Sequence, residues 1–459
     1  MKDIIVIGGG PGGYVAAIRA AQLGANVSVI EGDRFGGTCL NRGCIPTKAI
    51  YRTAELFNTL KHISDFGINV KEFSIDVDTI QNRKSNIINT LVSGIEALLK
   101  GNGVEVIRGE AILIDKNTVN VKCENEEIIL KGKNIIIATG SQSEIPEIQG
   151  KEHKNVITSD ELLDFKSIPE TLVVIGGGVI GMEFATIFNA MGSKVKVIVA
   201  RDSILYDVDR ELTKRFTAMA KKSGIEILTS TKVKSFDGED KVLVQCEGKK
   251  GEVSIEADLV LLAKGRKALL KGIDTEKIGI ETYKKGIKVN KNYETSVKDL
   301  YAIGDVNGIS LLAHAASHQG VQVVEHILLN KPCDDLVIPS CIFTFPEIAT
   351  VGITEEEAKA KNISYKKNKF MFGANGKALA LGEGEGFVKV ISDENNKLIG
   401  IHIMGPHASD LILEGTLAVE KNMTVKDIKE VVHSHPTLGE ALYEAILGIN
   451  KEAIHSINK

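Results

Sequence analysis

The sequence predicts an α/β protein, and three observations lead there. A β-branched run, Ile4 to Ile7, passes through the glycine-rich turn GGGPGG into an alanine-rich helix pattern. The same order of strand, glycine turn and helix recurs where Leu172 to Ile175 lead into GGGVIGMEFA. Beyond Pro339 the pattern changes to short strands with turns, then helices around 408–421 and 437–449. Strands that alternate with helices pair in parallel, so the first two regions read as Rossmann-like dinucleotide-binding units and the last as a separate α+β unit.

Composition sets the outer limits. A chain of 459 residues, 43% of them hydrophobic, has enough apolar side chain for several cores. Net charge is -4 with acids and bases interspersed, which argues against a nucleic-acid partner or a polybasic membrane anchor. No apolar run reaches membrane-spanning length, and the strand pattern starts so early that no signal peptide is expected, so the expected location is cytoplasmic. Six cysteines are few for such a chain. In a reducing compartment a disulfide that persists among them is a working one.

In the first unit, Gly8, Gly10 and Gly13 form a GxGxxG. These glycines allow a sharp turn and let backbone amides at the helix start approach a pyrophosphate. The next strand run, Val27 to Ile30, ends in Glu31, placed to accept hydrogen bonds from ribose hydroxyls. Then comes GGTCLNRGCIPTK, with Cys39 and Cys44 five apart. A plant-type iron-sulfur spacing wants a cysteine where Thr47 stands, and no second ligand pair supports zinc. Positions i and i+5 of a regular helix lie about 140° apart around the axis, so a disulfide here needs a distorted first turn. A helix N-terminus would favour the thiolate. A working disulfide and two reduced cysteines packed in a core helix both remain open on this stretch.

Residues 50–100 read as two helical flanks, and Ile87, Ile88, Leu91, Val92, Ile95, Leu98 and Leu99 recur at helical spacing, as a packing stripe should. Short strands follow, and Ile135 to Ile137 lead into Ala138, Thr139 and Gly140, where small residues allow either a cofactor or a crowded crossover to pass. In the second unit Gly176, Gly178 and Gly181 repeat the motif, so two dinucleotides are expected. Its next strand, Val195 to Val199, lacks the terminal acid and is followed by Arg201. Without the acid, NADP is expected to be accepted at least as well as NAD, through pairing of Arg201 with a 2'-phosphate and smaller help from Lys194 or Lys196, unless Asp202 neutralises the arginine. Asp305 follows another strand, where it reads most simply as a helix cap. His314 and His318 stand at i, i+4 without partner ligands and read as surface or interface residues. In HSHPTLGEALYEAI, His435 has Glu440 five residues on, so it can serve as a carboxylate-oriented base, although a lone His-Pro is more often structural.

Taken together, GGTCLNRGC, the paired glycine motifs, the Gly-Asp at 304–305 and HPTxxE resemble the pyridine nucleotide-disulfide oxidoreductase family across essentially the whole chain. GGTCLNRGCIPTKA and HSHPTLGEA are most similar to its members that oxidise dihydrolipoamide. The resemblance implies FAD in the first unit, with Gly8, Gly10 and Gly13 at its pyrophosphate and Glu31 at its ribose. It further implies Thr139 and Gly140 along that cofactor, Asp305 near its ribityl chain and Ala313 near the ring. Lys48 and Glu183 would pair beside the flavin, and Gly176, Gly178 and Gly181 would hold the pyrophosphate of NAD or NADP. Cys39 and Cys44 would be the redox disulfide, with His435 and Glu440 serving the other subunit of a homodimer. The implied substrate is free dihydrolipoamide or a dihydrolipoyl-bearing carrier protein. The implied division is 1–145 and 266–335 for FAD, 146–265 for the nicotinamide nucleotide and 336–459 for dimerisation. Arg266, Lys267 and Ala268 stand where the family usually has Pro-Asn. An NADPH-dependent reductase of another disulfide, or a flavin-carrying subunit without turnover, are the alternative functions.

Overall fold

The computed structural model describes residues 1–249 and 251–457, so the end of the expected C-terminal unit, 458–459, lies outside the described residues. The first unit is built on five parallel strands in the order Glu105–Arg108, Val27–Glu31, Lys2–Ile7, Glu127–Ile137, Leu300–Ala302. Its long strand Glu127–Ile137 also starts a three-stranded antiparallel sheet with Thr118–Lys122 and Glu110–Asp115. The second unit repeats this plan. Its parallel strands run in the order Glu226–Leu228, Lys194–Ile198, Thr171–Ile175, Leu259–Leu262, Val156–Thr158, beside an antiparallel trio formed by Lys232–Asp237, Val242–Gly248 and Gly251–Ala257. The C-terminal unit is a five-stranded antiparallel sheet in which Leu398–Gly405 lies between Glu347–Gly352 and Phe387–Ser392.

The central strands are apolar on both faces because both faces are covered, and Ile4 to Ile7 and Leu172 to Ile175 are buried throughout. Each such side chain contributes roughly 1.5–3 kcal/mol by leaving water. Helix Pro11–Gln22 packs on helix Ala313–Leu329, where a Cβ on Gly320 would lie 2.6 Å from the Gly12 carbonyl oxygen. That close crossing brings the N-terminus of the later helix, Ala313, to the first glycine turn. In helix Val77–Gly101 the apolar stripe divides: Ile88, Val92, Ile95 and Leu99 are buried, whereas Leu91 and Leu98 are exposed. The strand after the second glycine turn ends at Ile198, one residue earlier than its pattern suggests.

A buried charge cluster ties the second unit to the C-terminal one. Lys389 Nζ lies 3.0 and 2.8 Å from the two oxygens of Asp209 and 2.8 Å from Glu355 Oε2. Asp209 also caps helix Arg210–Lys222 by accepting from the Glu211 amide. Burial pushes Glu355 up, but hydrogen bonds from Lys359, Lys367, Lys389 and Tyr365 outweigh it and hold the carboxyl well below the carboxylate range; Asp209 is lowered in the same way by Lys389. Lys389→Met leaves the buried Asp209 without its cation, while Glu355 keeps Lys359 and Lys367, and an expected loss of roughly 3–5 kcal/mol follows by denaturant unfolding at neutral pH. Because the folded-state pKa values are depressed, these groups stabilise above their unfolded values and lose that contribution as pH falls, so the difference between variant and wild type should shrink below about pH 4.

Candidate active site

Cys39 and Cys44 do not share one helix. Helix Gly37–Arg42 ends at Gly43 (φ -144°, ψ -111°), and a new helix, Cys44–Lys61, begins at the second cysteine. A Cβ on Gly43 would lie 2.9 Å from the Thr38 carbonyl oxygen and 3.3 Å from Cys39 Cα, so this break requires glycine. The break supplies the distortion that a five-residue spacing demands. Both cysteines are free here, with Sγ atoms 2.6 Å apart. The Cys39 thiol donates to Cys44, which pushes the Cys39 pKa up, with burial adding to the shift, and the Cys44 pKa down. The Lys48 ammonium, one turn along from Cys44, also lowers the Cys44 pKa, and the uncapped helix N-terminus favours the same charge. These contacts all favour negative charge on Cys44 over Cys39.

Lys48 Nζ lies 3.1 Å from both carboxylate oxygens of Glu183, which sits on helix Val179–Ala190 of the second unit. Glu183 Oε1 also accepts from the Phe343 amide at 2.9 Å, and Lys48 stands 4.2 Å over the Phe343 ring. This one ion pair thus joins the redox helix, the second unit and the start of the C-terminal unit. The Phe343 contribution has no sequence signal.

The two glycine turns match contact for contact. The Gly8 and Gly176 amides donate to Ile30 and Ile198 at 2.8 and 2.9 Å, and both glycines have positive φ, +105° and +122°. A Cβ on Gly13 or Gly181 would lie 1.8 or 2.1 Å from the carbonyl oxygen of Gly8 or Gly176. Gly10 and Gly178 face open space, the nearest atom to an added Cβ on Gly10 being Gly37 Cα at 3.8 Å. Helices starting there, at Pro11 and Val179, have no side-chain cap and leave amides for an anion. Glu31 accepts from the Gly9 amide at 2.7 Å and the Asp33 amide at 2.8 Å, which fixes its carboxylate at the strand end.

At the junction between units, Thr139 Oγ1 donates to the Leu269 carbonyl at 2.6 Å, and Gly140 has open space above it. Strand Arg266–Ala268 pairs with Ser141–Ser143, so the residues that depart from the family pattern lie in a small antiparallel ladder. Arg266 Nε donates to Ser141 Oγ at 2.8 Å, and Ser141 donates to Asp305. Burial pushes the Asp305 carboxyl up, while Ser141 and Arg266 oppose the shift. Asp305 caps no helix; it sits inside the short turn Gly304–Asn307, whose Gly304 amide donates to buried Gln319. The nearby His314 ring bonds the Pro339 carbonyl at 2.8 Å. The open glycine turn, fixed Glu31 and half-buried Asp305 suit a flavin dinucleotide.

In the C-terminal unit, His435 Nδ1 lies 2.9 Å from Glu440 Oε1, and the Thr437 amide donates to Glu440 Oε2 at 2.9 Å. Burial raises the Glu440 pKa, but Thr437 and His435 outweigh it and hold the carboxyl below its usual range. The His435 side chain is 79% exposed, with Nε2 free, and among the described residues no hydrogen bond joins it to either cysteine. His433 differs: its Nδ1 meets the Val431 carbonyl at 3.0 Å and its Nε2 meets Glu414 at 2.8 Å, so both ring nitrogens are committed. A third pair, His455 with Glu444 at 2.9 Å, carries no sequence pattern that marks it. The same unit exposes several apolar side chains, among them Val432 (94%), Ile454 (78%), Leu413 (61%) and Leu417 (56%). No helix among the described residues is long and apolar enough to cross a membrane.

Residues 2–320 match the pyridine nucleotide-disulphide oxidoreductase family, and 338–446 match the dimerisation domain of the same family. The chain is 39% identical over 468 residues to a dihydrolipoyl dehydrogenase of Bacillus subtilis (strain 168), covering 99% of each. It is 40% identical to the dihydrolipoyl dehydrogenase of Geobacillus stearothermophilus, covering 100% of this chain and 98% of that one. Among solved structures it resembles the HOCl-induced flavoprotein disulfide reductase RclA from Escherichia coli, with a TM-score of 0.86 and 25% identity over 97% of this chain and 99% of that one.

Proposed function

The chain belongs to the pyridine nucleotide-disulphide oxidoreductase family, and on that premise we propose the following division of labour among its residues. The protein is a flavoprotein that oxidises dihydrolipoamide to lipoamide and reduces a nicotinamide nucleotide. It works as a homodimer through its dimerisation domain. FAD lies in the unit formed by 1–145 and 266–335, held by Gly8, Gly10, Gly13, Glu31, Thr139, Gly140, Asp305 and Ala313. The nicotinamide nucleotide lies in 146–265 on Gly176, Gly178 and Gly181, and the dimer forms through 336–459. When bound, FAD supplies the two-electron relay between dithiol and nicotinamide.

The carrying observation is the Cys39–Cys44 pair set against Lys48 and Glu183, with an oriented, open-faced His435 elsewhere in the chain. The exposed His435, in a unit that also leaves Val432, Leu413, Leu417 and Ile454 exposed, supports a site completed across the dimer, where His435 serves the partner's cysteines. His435 Nε2 takes a proton from one thiol of dihydrolipoamide, and Glu440 holds the other ring nitrogen. The thiolate attacks Cys39 Sγ, the Cys39–Cys44 bond breaks, and Cys44 leaves as a thiolate, the better leaving group because its pKa is lowered. The second substrate thiol then attacks the substrate sulfur of the mixed disulfide. That step closes lipoamide and expels Cys39, which takes the first proton from His435, and the freed Nε2 accepts the proton of the second thiol. Lys48, paired with Glu183, keeps a positive charge one turn from Cys44 throughout. The working substrate is free dihydrolipoamide or the dihydrolipoyl group of a carrier protein, in the cytoplasm.

The likeness to RclA makes reduction of a different disulfide the second reading. Turnover of the purified flavoprotein with dihydrolipoamide, against NADPH-driven reduction of other low-molecular-weight disulfides, separates the two. Dihydrolipoamide should be favoured by about 100-fold or more in kcat/KM, the scale of a site shaped to its own substrate. A preference for another disulfide would transfer the activity, and no turnover with either would leave a binding subunit.

A further inference from the structure

We propose that the second unit binds the nicotinamide nucleotide bearing a 2'-phosphate, NADP(H), in preference to NAD(H), with Arg201 seated on Tyr206 as the phosphate's partner. The inference rests on the reading that this unit holds a nicotinamide dinucleotide.

The first unit is an internal ruler for the second. Because the Gly8 amide meets Ile30 and the Gly176 amide meets Ile198, Glu31 and Val199 occupy the same place at their strand ends. Side chains agree with that register. A Cβ on Gly9 would lie 3.1 Å from the Glu31 carboxylate, and one on Gly177 would lie 2.7 Å from Val199 and 2.7 Å from Ile204. Where Glu31 presents oxygens, Val199 is 5% exposed and packed with Ile204 and Leu205 in the core. That place offers no acceptor for a ribose 2'-hydroxyl and no charge to repel a 2'-phosphate.

Two residues on, the Arg201 guanidinium carbon lies 3.4 Å from the centre of the exposed Tyr206 ring. The Arg201 carbonyl accepts from the Ser230 amide at 2.7 Å, which fixes the turn beneath it. No carboxylate pairs with Arg201 among the described residues; the Asp202 side chain meets the Ser203 hydroxyl at 3.4 Å instead. Lys194 and Lys196 are committed to Glu170 at 3.0 Å and Glu226 at 2.8 Å, so the help expected from them is not available. A guanidinium held over a ring face keeps N–H donors free, and a phosphate accepts from two of them side by side. The stack also holds the side chain before the ligand arrives, which lowers the ordering cost of binding.

The experiment is calorimetric titration of the FAD-loaded dimer with ADP-ribose and with 2'-phospho-ADP-ribose, neither of which carries nicotinamide. Wild type should bind the phosphorylated ligand at least about tenfold more tightly, the scale of one charge-assisted contact. Arg201→Ala should lower that ratio about tenfold, Tyr206→Ala should lower it less, and Val199→Glu should reverse it. Flavin absorbance checks that each variant folds. A wild-type ratio at or below one, a ratio unmoved by Arg201→Ala, or no binding of either ligand would overturn the inference. Should the ratio hold while dihydrolipoamide is not turned over with either nucleotide, the substrate reading fails and this one stands.

Discussion

Cys44→Ser is expected to abolish dihydrolipoamide oxidation while leaving the flavin bound. In this chain Cys44 opens an uncapped helix, accepts a hydrogen bond from Cys39 and lies one turn from the Lys48 ammonium. All three favour the thiolate, and serine cannot ionise near neutral pH or form the disulfide that the first step breaks. Turnover should fall by roughly three orders of magnitude or more, to the level of catalysis without a nucleophile. Optical spectra give a second readout. One equivalent of dithiol should bring up long-wavelength absorption in wild type, where a thiolate is left beside oxidised flavin, and none in Cys44→Ser. If the absorption persists in Cys44→Ser and vanishes in Cys39→Ser, the two sulfurs exchange roles.

The second large effect is expected at His435. His435→Gln should lower kcat for dihydrolipoamide by about 10²–10⁴-fold, the range for losing a general base, with flavin content unchanged. His433→Gln should stay within about tenfold of wild type, because both ring nitrogens of His433 already meet partners within the chain, the Val431 carbonyl and Glu414. Glu440→Gln should fall between them. It keeps a partner for His435 Nδ1 but removes the charge that stabilises the imidazolium. Severe loss at His433 with near-normal His435→Gln would move the base to the other histidine.

Much of this arrangement was legible because it repeats at short range. Strand, glycine turn, helix and strand-end residue stand within a few tens of positions, so Gly8, Gly13 and Glu31, or Gly176, Gly181 and Val199, could be aligned by eye, and the structure brings each set together. Contacts between distant segments were not legible. Phe343 donates to Glu183, and Arg266 reaches Ser141, across more than a hundred residues that carry no common period. The Gly43 break was half legible. The spacing called for a distortion, but which residue would yield depended on the Thr38 carbonyl lying against it. Asp305 misled as a cap because the residues after it form a single short turn, and its partner Ser141 comes from another strand. Leu91 and Leu98 misled because helical spacing reveals an apolar stripe but not which edge of it meets the core.

The pairing of Leu300–Ala302 with Glu127–Ile137 sets an order of assembly on the ribosome. Synthesis delivers four of the first unit's parallel strands by residue 137, then makes all five of the second unit's between 156 and 262, and only afterwards supplies the fifth strand of the first. The part of the chain born first is thus the later of the two to be completed, against the usual N-terminal-first sequence. Asp305 and the helix from Ala313 emerge later still, so the flavin seat proposed there comes into being only after the second unit has its whole sheet. A chain stopped between 262 and 300 has every parallel strand of its second unit and lacks one of its first.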